Sequence, residues 1–67
     1  MAKVEVFGED EGAPLFIGEF DFLPRVGDTI SKDMGGYFGY YTVIEVWHRE
    51  RADSGVFRPC IQVELRD

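Results

Sequence analysis

The chain has 67 residues, enough for one domain close to the lower size limit for folding without a metal or a disulfide. It is 45% hydrophobic, with six phenylalanines, three tyrosines and one tryptophan, so it can build a compact core. The net charge of −6 argues against general DNA or RNA binding, which depends on Lys and Arg side chains that neutralise phosphates.

The cysteine content and the first residues bear on the cellular compartment. Cys60 is the one cysteine of the sequence, so an internal disulfide is excluded. The first three residues lead straight into a strand pattern, and the sequence contains no long apolar run. We therefore expect a cytoplasmic protein that does not cross or bind a membrane.

The first part of the chain predicts a β-hairpin. Residues 3–7 alternate polar and apolar side chains, as do residues 15–22, and the glycines and acids of residues 8–14 indicate a turn between them. The apolar side chains of both strands share a face only if even-numbered residues pair with even-numbered residues. One such register places Glu5 opposite Glu19, and a slip of two residues places Lys3 opposite Glu19 instead.

The rest of the chain predicts three further strands. Residues 23–30 contain a proline followed by a Gly-Asp turn, and residues 32–36 form a loop. Residues 37–51 are long enough for one strongly bent strand, and a turn at residues 52–55 leads to a final strand over residues 56–66. The apolar phase of the long strand changes near Ile44, which predicts a β-bulge there.

These turn and core residues resemble those of a known group. The run Leu23-Pro24-Arg25-Val26-Gly27-Asp28-Thr29-Ile30, the glycine loop and Tyr41-Thr42-Val43-x-x-Val46-x-His48 resemble small SH3-like β-barrel proteins of bacteria and phages, over residues 15–67. The resemblance implies a fold and carries no catalytic motif. We predict one all-β domain over residues 1–67, an SH3-like barrel of about five antiparallel strands. Its expected core is Val4, Val6, Phe20, Phe22, Val26, Ile30, Tyr41, Val43, Val46, Ile61, Val63 and Leu65.

The residue types that carry chemistry do not form a recognisable set. His48 is the one histidine, and with Cys60 it lacks the spacing and the number of ligands of a zinc site. A nucleophilic cysteine needs a lowered pKa and a substrate pocket, which a short all-β chain does not offer. We expect no enzymatic activity, no metal and no cofactor.

Two aromatic segments are candidates for partner binding. Trp47 and Arg49 lie near the end of the long strand and Arg58 lies across the following turn, where Arg58 could stack on an outward-facing Trp47. The run of residues 35–41 interleaves glycines with Tyr37, Phe38 and Tyr40. Such rings stack on bases in some RNA-binding domains, whereas the simpler interpretation is that the tyrosines pack the barrel.

The acidic side chains are concentrated in the first half of the chain. Residues 1–33 contain three basic and eight acidic side chains, a net charge of −5. The expected acidic surface comprises Glu5, Glu9, Asp10, Glu11, Glu19 and Asp21. Long-range attraction would bring a basic protein to such a surface.

Three functions follow from these patterns. The first is a non-enzymatic protein-interaction or assembly module, which could also form a homo-oligomer through its strand edges. The second is an acidic decoy that mimics nucleic acid and occupies a basic protein. The third is a single-stranded nucleic-acid binder that uses exposed tyrosines, although the acidic balance argues against it.

Overall fold

The computed structural model describes residues 2–9 and 12–66, and it shows an all-β protein. Four of the strands match segments in which apolar and polar side chains alternate, the pattern of a sheet with one buried face. The strand over residues 29–33 includes Lys32 and Asp33, which were expected in a loop. The prediction of five strands is confirmed. The strands are β1 (Ala2–Phe7), β2 (Phe16–Phe20), β3 (Thr29–Asp33), β4 (Phe38–Glu50) and β5 (Phe57–Arg66).

The five strands form one strongly curled mixed sheet in the order β2-β1-β5-β4-β3. Three neighbouring pairs are antiparallel, whereas β1 and β5 are parallel, with Glu5 opposite Cys60 and Phe7 opposite Gln62. The expectation of a wholly antiparallel sheet is therefore wrong for this pair. A period of two identifies the buried face of a strand but reads the same in both chain directions, so it could not reveal the parallel pair.

The curled sheet is a half-barrel, because its two edge strands do not pair with each other. β2 and β3 stand at opposite ends of the strand order. On the core-facing side of β3, the Lys32 ammonium lies 5.4 Å from the centre of the Phe16 ring of β2. This cation–π contact spans one end of the open side.

The centre of the predicted core is confirmed. Five of its members are fully buried, and four more are half-buried against them. The half-buried set also contains Ala2, Phe16 and Leu23, which we did not predict. The buried members are Val4, Val6, Val43, Ile61 and Val63, and the half-buried predicted ones are Phe20, Ile30, Tyr41 and Val46.

Three predicted core residues are exposed: Phe22, Val26 and Leu65. Phe22 lies beyond the end of β2, Val26 lies in a turn, and Leu65 is near the end of β5. The expectation followed alternation along the chain, which does not show where a strand ends or whether another strand covers its end. In a half-barrel the covering strand is missing, so these side chains face solvent.

The strands of the first hairpin share a core face as predicted, and of the two registers considered they adopt the one slipped by two residues. Even-numbered residues face even-numbered ones, and Lys3 lies opposite Glu19 while Glu5 lies opposite Ile17. Lys3 therefore faces a residue of opposite charge across the two strands, although the two charged groups are more than 4.0 Å apart. The like-charge pair of Glu5 with Glu19 that the other register requires is not formed.

The predicted bulge and the Gly-Asp turn meet at Val43. The pairing of β4 with β5 shifts between Val43 and Glu45, which leaves Ile44 as the extra residue. The turn is closed by the Asp28 amide, which donates to the Arg25 carbonyl at 3.0 Å, and Gly27 takes a φ of 96°. This is the geometry of a type II turn, which requires glycine at its third position. The Gly27 amide also donates to the Val43 carbonyl at 2.8 Å, so the turn is fixed to β4 beside the bulge.

Candidate functional site

The second face of the sheet carries a small cluster of its own next to the β4–β5 hairpin. Phe7, Trp47 and Cys60 lie on this face, opposite to the main core. The rings of Phe7 and Trp47 are 5.5 Å apart, Phe7 and Cys60 are buried, and Trp47 is half-buried. The expected stacking of Arg58 on Trp47 is replaced by this ring pair. Trp47 therefore contributes mainly to packing within the molecule.

Two arginines hold a buried carboxylate beside that ring pair. Arg49 Nη2 donates to Glu5 Oε1 at 2.6 Å, and Arg58 Nη1 lies 3.8 Å from Glu5 Oε2. The Glu5 side chain is only 9% exposed, whereas that of Arg49 is 55% exposed. The Arg49 guanidinium also lies 5.6 Å from the centre of the Phe7 ring. We name Glu5, Phe7, Trp47, Arg49 and Arg58 the hairpin cluster.

The hairpin cluster changes the interpretation of two predicted sites. Arg49 and Arg58 were expected to contact a partner, and the structure engages both with Glu5 inside the chain. Glu5 was expected on an acidic surface, but it is buried and its charge is compensated by the two guanidiniums. A depression of about 210 Å³ lies beside the cluster, and its wall adds Glu50 and Arg51. Three arginines and two carboxylates line the depression, so its net charge is +1.

The thiol and the imidazole lie on opposite faces of the sheet. Cys60 pairs with Trp47 and His48 with the adjacent Pro59, so their side chains alternate in direction. Burial raises the pKa of the Cys60 thiol, and the Glu5 carboxylate raises this pKa further, although Arg49 and Arg58 oppose the effect. A thiol with a raised pKa is a poor nucleophile at neutral pH. In the described residues, no three His, Cys, Asp or Glu side chains are placed to hold a metal ion.

The three aromatic residues of the β3–β4 hairpin are exposed. Tyr37, Phe38 and Tyr40 all present large parts of their rings to solvent, and we name them the aromatic strip. The interpretation that Tyr37 and Tyr40 pack the barrel is therefore wrong, while Tyr41 does contact the core. Arg66 lies opposite Tyr40 on the neighbouring strand.

The expected acidic surface is divided by the fold. Glu9, Glu19 and Asp21 are exposed. Asp10 and Glu11 lie outside the described residues. Glu19 and Asp21 stand at the end of β2 and just beyond it, so they flank the open side of the half-barrel.

A groove of about 530 Å³ occupies the open side between β2 and the segment that leads into β3. Its wall combines apolar rings with carboxylates. Phe22 is 69% exposed there, so its ring is available for contact. We call this feature the groove, and its lining residues are Glu19, Phe20, Asp21, Phe22, Pro24, Arg25, Asp28, Thr29 and Ile30.

The charges of the groove are unevenly compensated. Asp28 Oδ2 accepts a hydrogen bond from the Arg25 backbone amide at 2.9 Å and lies 4.0 Å from the Arg25 guanidinium nitrogen Nε. In residues 2–9 and 12–66, neither Glu19 nor Asp21 has an oppositely charged group within 4.0 Å. The groove therefore carries a net negative charge next to an exposed phenylalanine.

The groove was missed at the level of sequence, although one local signal pointed to it. Pro24 has no backbone N–H to donate and is rare within sheets except at their edges, so a strand end is expected near it, and β2 ends at Phe20. Phe22 therefore falls outside the sheet, where alternation no longer predicts burial.

In the described residues there is no helix that is long and apolar enough to span a membrane. No family model, no curated protein and no solved structure matches this chain.

Proposed function

We propose that this chain is a non-enzymatic protein-interaction module, built on an open relative of the SH3-like barrel. The observation that carries the proposal is the open side of the half-barrel. Two edge strands leave backbone groups unpaired there, and the groove between them exposes the Phe22 ring. An unpaired strand edge is a template for pairing with another chain.

The extent of exposed surface supports the same proposal. The accessible surface is 4797 Å², whereas folded monomers of 7.7 kDa expose about 4,300 Å². Large side chains contribute to the excess: Leu15 and Ile17 next to the β2 edge are about half exposed, as is Phe57 at the start of β5. Exposed apolar surface of this kind is typical of binding sites.

The arrangement of the reactive groups favours binding over catalysis. The Cys60 thiol is buried and its pKa is raised, and it lies on the face opposite to His48. The groove is lined by carboxylates, aromatic rings and one arginine that is engaged with Asp28. These groups suit recognition of a polypeptide better than proton transfer to a small substrate.

The test of the proposal is capture of partners by two matched variants. Tagged protein is incubated with cell lysate after nuclease treatment and at moderate salt, and the bound proteins are identified by mass spectrometry. Phe22→Ser should lose the partner, because the ring is exposed in the groove and its removal leaves the core intact. Tyr37→Ser, a control with similar exposure in the aromatic strip, should retain the partner. The proposal fails if Phe22→Ser keeps every partner or if only nucleic acid is recovered.

The aromatic strip supports one second candidate function. Three exposed rings beside Arg66 are the kind of surface on which unpaired bases stack. A labelled single-stranded oligonucleotide should then bind at low salt and dissociate steeply as salt rises. Absence of binding at low salt, or binding that salt does not change, would exclude this function.

A further inference from the structure

We propose that the groove binds an extended, basic segment of another protein, and that this segment adds to the free edge of β2. The inference rests on the proposed function and names its site and the chemistry of its partner.

The free edge that can accept a strand is that of β2. Edge strands are commonly protected by an inward-pointing charged residue, and β3 has such a residue in Lys32, which reaches across to Phe16. On the core-facing side of β2 lie Phe16, Gly18 and Phe20, and none of them is charged. β2 therefore lacks the protection that β3 has.

The charges beside this edge favour a basic partner. Glu19 and Asp21 are exposed, and in the described residues neither has an opposite charge within 4.0 Å. Lys3 lies opposite Glu19 on β1 and offsets part of its charge, while the Arg25–Asp28 pair adds no net charge. The whole chain carries −6, so attraction of a basic segment is also favoured at long range. Each new pair with an exposed carboxylate contributes modestly, which suits a reversible interaction.

The same charges argue against a second copy of this chain as the occupant. Two copies would each bring a net charge of −6 to the interface. A strand of five residues is about 17 Å long, and pairing two of them buries much less than the roughly 1,200 Å² of a stable interface. A longer segment of another protein can continue past β2 into the groove.

The two faces of an added strand would meet different surfaces. Side chains that point to the core side would contact Phe20, Phe22 and Ile30, so apolar residues fit there. Side chains that point to the other side would lie next to Glu19, so Lys or Arg fits there. Alternation of basic and apolar residues is therefore the pattern that this site recognises.

A designed peptide tests this chemistry directly. The probe is a fluorescein-labelled peptide of about nine residues that alternates Lys and Val, and its partner probe alternates Glu and Val. Fluorescence anisotropy with the full chain should show binding of the Lys–Val peptide. The Glu–Val peptide should bind at least about tenfold more weakly. Equal binding of the two peptides, or no binding of the Lys–Val peptide, overturns the inference.

Charge variants locate the binding site. Glu19→Lys combined with Asp21→Lys should weaken binding of the Lys–Val peptide about tenfold, since two attractions become repulsions. The matched control combines Glu45→Lys with Glu64→Lys, which changes net charge equally at exposed positions on β4 and β5. The control should change binding by less than about threefold, because those charges are distant and screened. If both double variants lose binding of the Lys–Val peptide equally, net charge alone drives the binding, and the groove is not the binding site.

N-methylated peptides distinguish strand addition from simple attraction. Alternate amides of a strand point to the same side, so only one set of amides can pair with β2. Two Lys–Val peptides are made, with methyl groups on the lysine amides or on the valine amides. One of them should lose binding and the other should keep it. Equal behaviour of the two peptides overturns strand addition. The proposed function is tested separately, by the capture of protein partners with Phe22→Ser.

Discussion

Replacement of Arg49 should destabilise the protein more than replacement of its partner Glu5. Arg49 Nη2 donates to Glu5 Oε1 at 2.6 Å, but the two side chains are very differently exposed, 55% for Arg49 and 9% for Glu5. Arg49→Met keeps an unbranched apolar side chain at this position but removes the charge, and with it the contact of the guanidinium with the Phe7 ring. It leaves a buried carboxylate whose remaining cation, Arg58, is 3.8 Å away.

The expected magnitudes follow from this asymmetry. Breaking a fully buried ion pair costs about 3–5 kcal/mol, whereas exposed pairs are worth about 0–1 kcal/mol. Because Arg49 is half exposed and Arg58 remains, we expect Arg49→Met to lower the free energy of unfolding by about 2 kcal/mol. Glu5→Gln should cost about 1 kcal/mol or less, since the two arginines can be hydrated and the amide oxygen can still accept from Arg49.

Urea denaturation measures both values. Trp47 is the one tryptophan and lies against Phe7, so its fluorescence reports unfolding, and circular dichroism at the backbone bands provides a second probe. In the Glu5→Gln background, Arg49→Met should lower the free energy of unfolding by only about 0.5 kcal/mol, because the buried charge is already gone. The difference from its effect in the wild type is the coupling between the two side chains, which should be about 1 kcal/mol or more. If Glu5→Gln costs more than Arg49→Met, or if the two effects add, the buried carboxylate is not what Arg49 stabilises.

Three further predictions concern the turns and the buried thiol. Ala52 and Asp53, with φ values of 47° and 56°, are the central residues of a turn in the β4–β5 loop that the Ser54 amide closes on the Arg51 carbonyl at 3.0 Å. Asn and Gly adopt positive φ more readily, so Ala52→Asn with Asp53→Gly should raise the free energy of unfolding by about 1 kcal/mol. No gain in the urea midpoint would contradict this geometry. Gly27 has a φ of 96°, and no atom lies within 4 Å of an added methyl group, so the backbone conformation is the source of any strain in Gly27→Ala. The substitution should lower the free energy of unfolding by about 1–2 kcal/mol. An unchanged thermal midpoint would refute the turn type. Burial raises the pKa of Cys60 in the folded state above its ordinary value of 9.0. The folded state therefore holds the thiol proton more tightly than the unfolded state does. The stability that this provides is fully present below pH 9 and is lost as the pH rises towards the folded-state pKa. Urea midpoints from pH 8 to 9.5 should therefore fall more in the wild type than in Cys60→Ala, and equal slopes would contradict the burial of the thiol.

Several features of the fold could be predicted from the sequence because they are local. Alternation along the chain identified the strands and the central core residues Val4, Val6, Ile61 and Val63, since a period of two is a property of each segment alone. The bulge at Ile44 was predictable for the same reason, because the apolar phase changes within one strand.

Other features depend on contacts between distant parts of the chain. The parallel pairing of β1 with β5 and the open side of the sheet follow from how the strands assemble, which alternation does not encode. Glu5 is buried only because Arg49 and Arg58 reach it from 44 and 53 residues away along the chain. Phe22 was expected in the core because it continues the alternation of Phe16 and Phe20, but β2 ends at Phe20 and Phe22 is exposed.

Resonance mapping by NMR tests the central claim, that partners dock on the open side of the half-barrel. Amide spectra of the ¹⁵N-labelled protein are recorded during titration with the Lys–Val peptide or with a captured partner. Binding at the groove predicts that the largest shift changes fall on β2 and on residues 21–30, with little change at Trp47. Changes centred on the aromatic strip or on the hairpin cluster, with β2 unaffected, would contradict the claim.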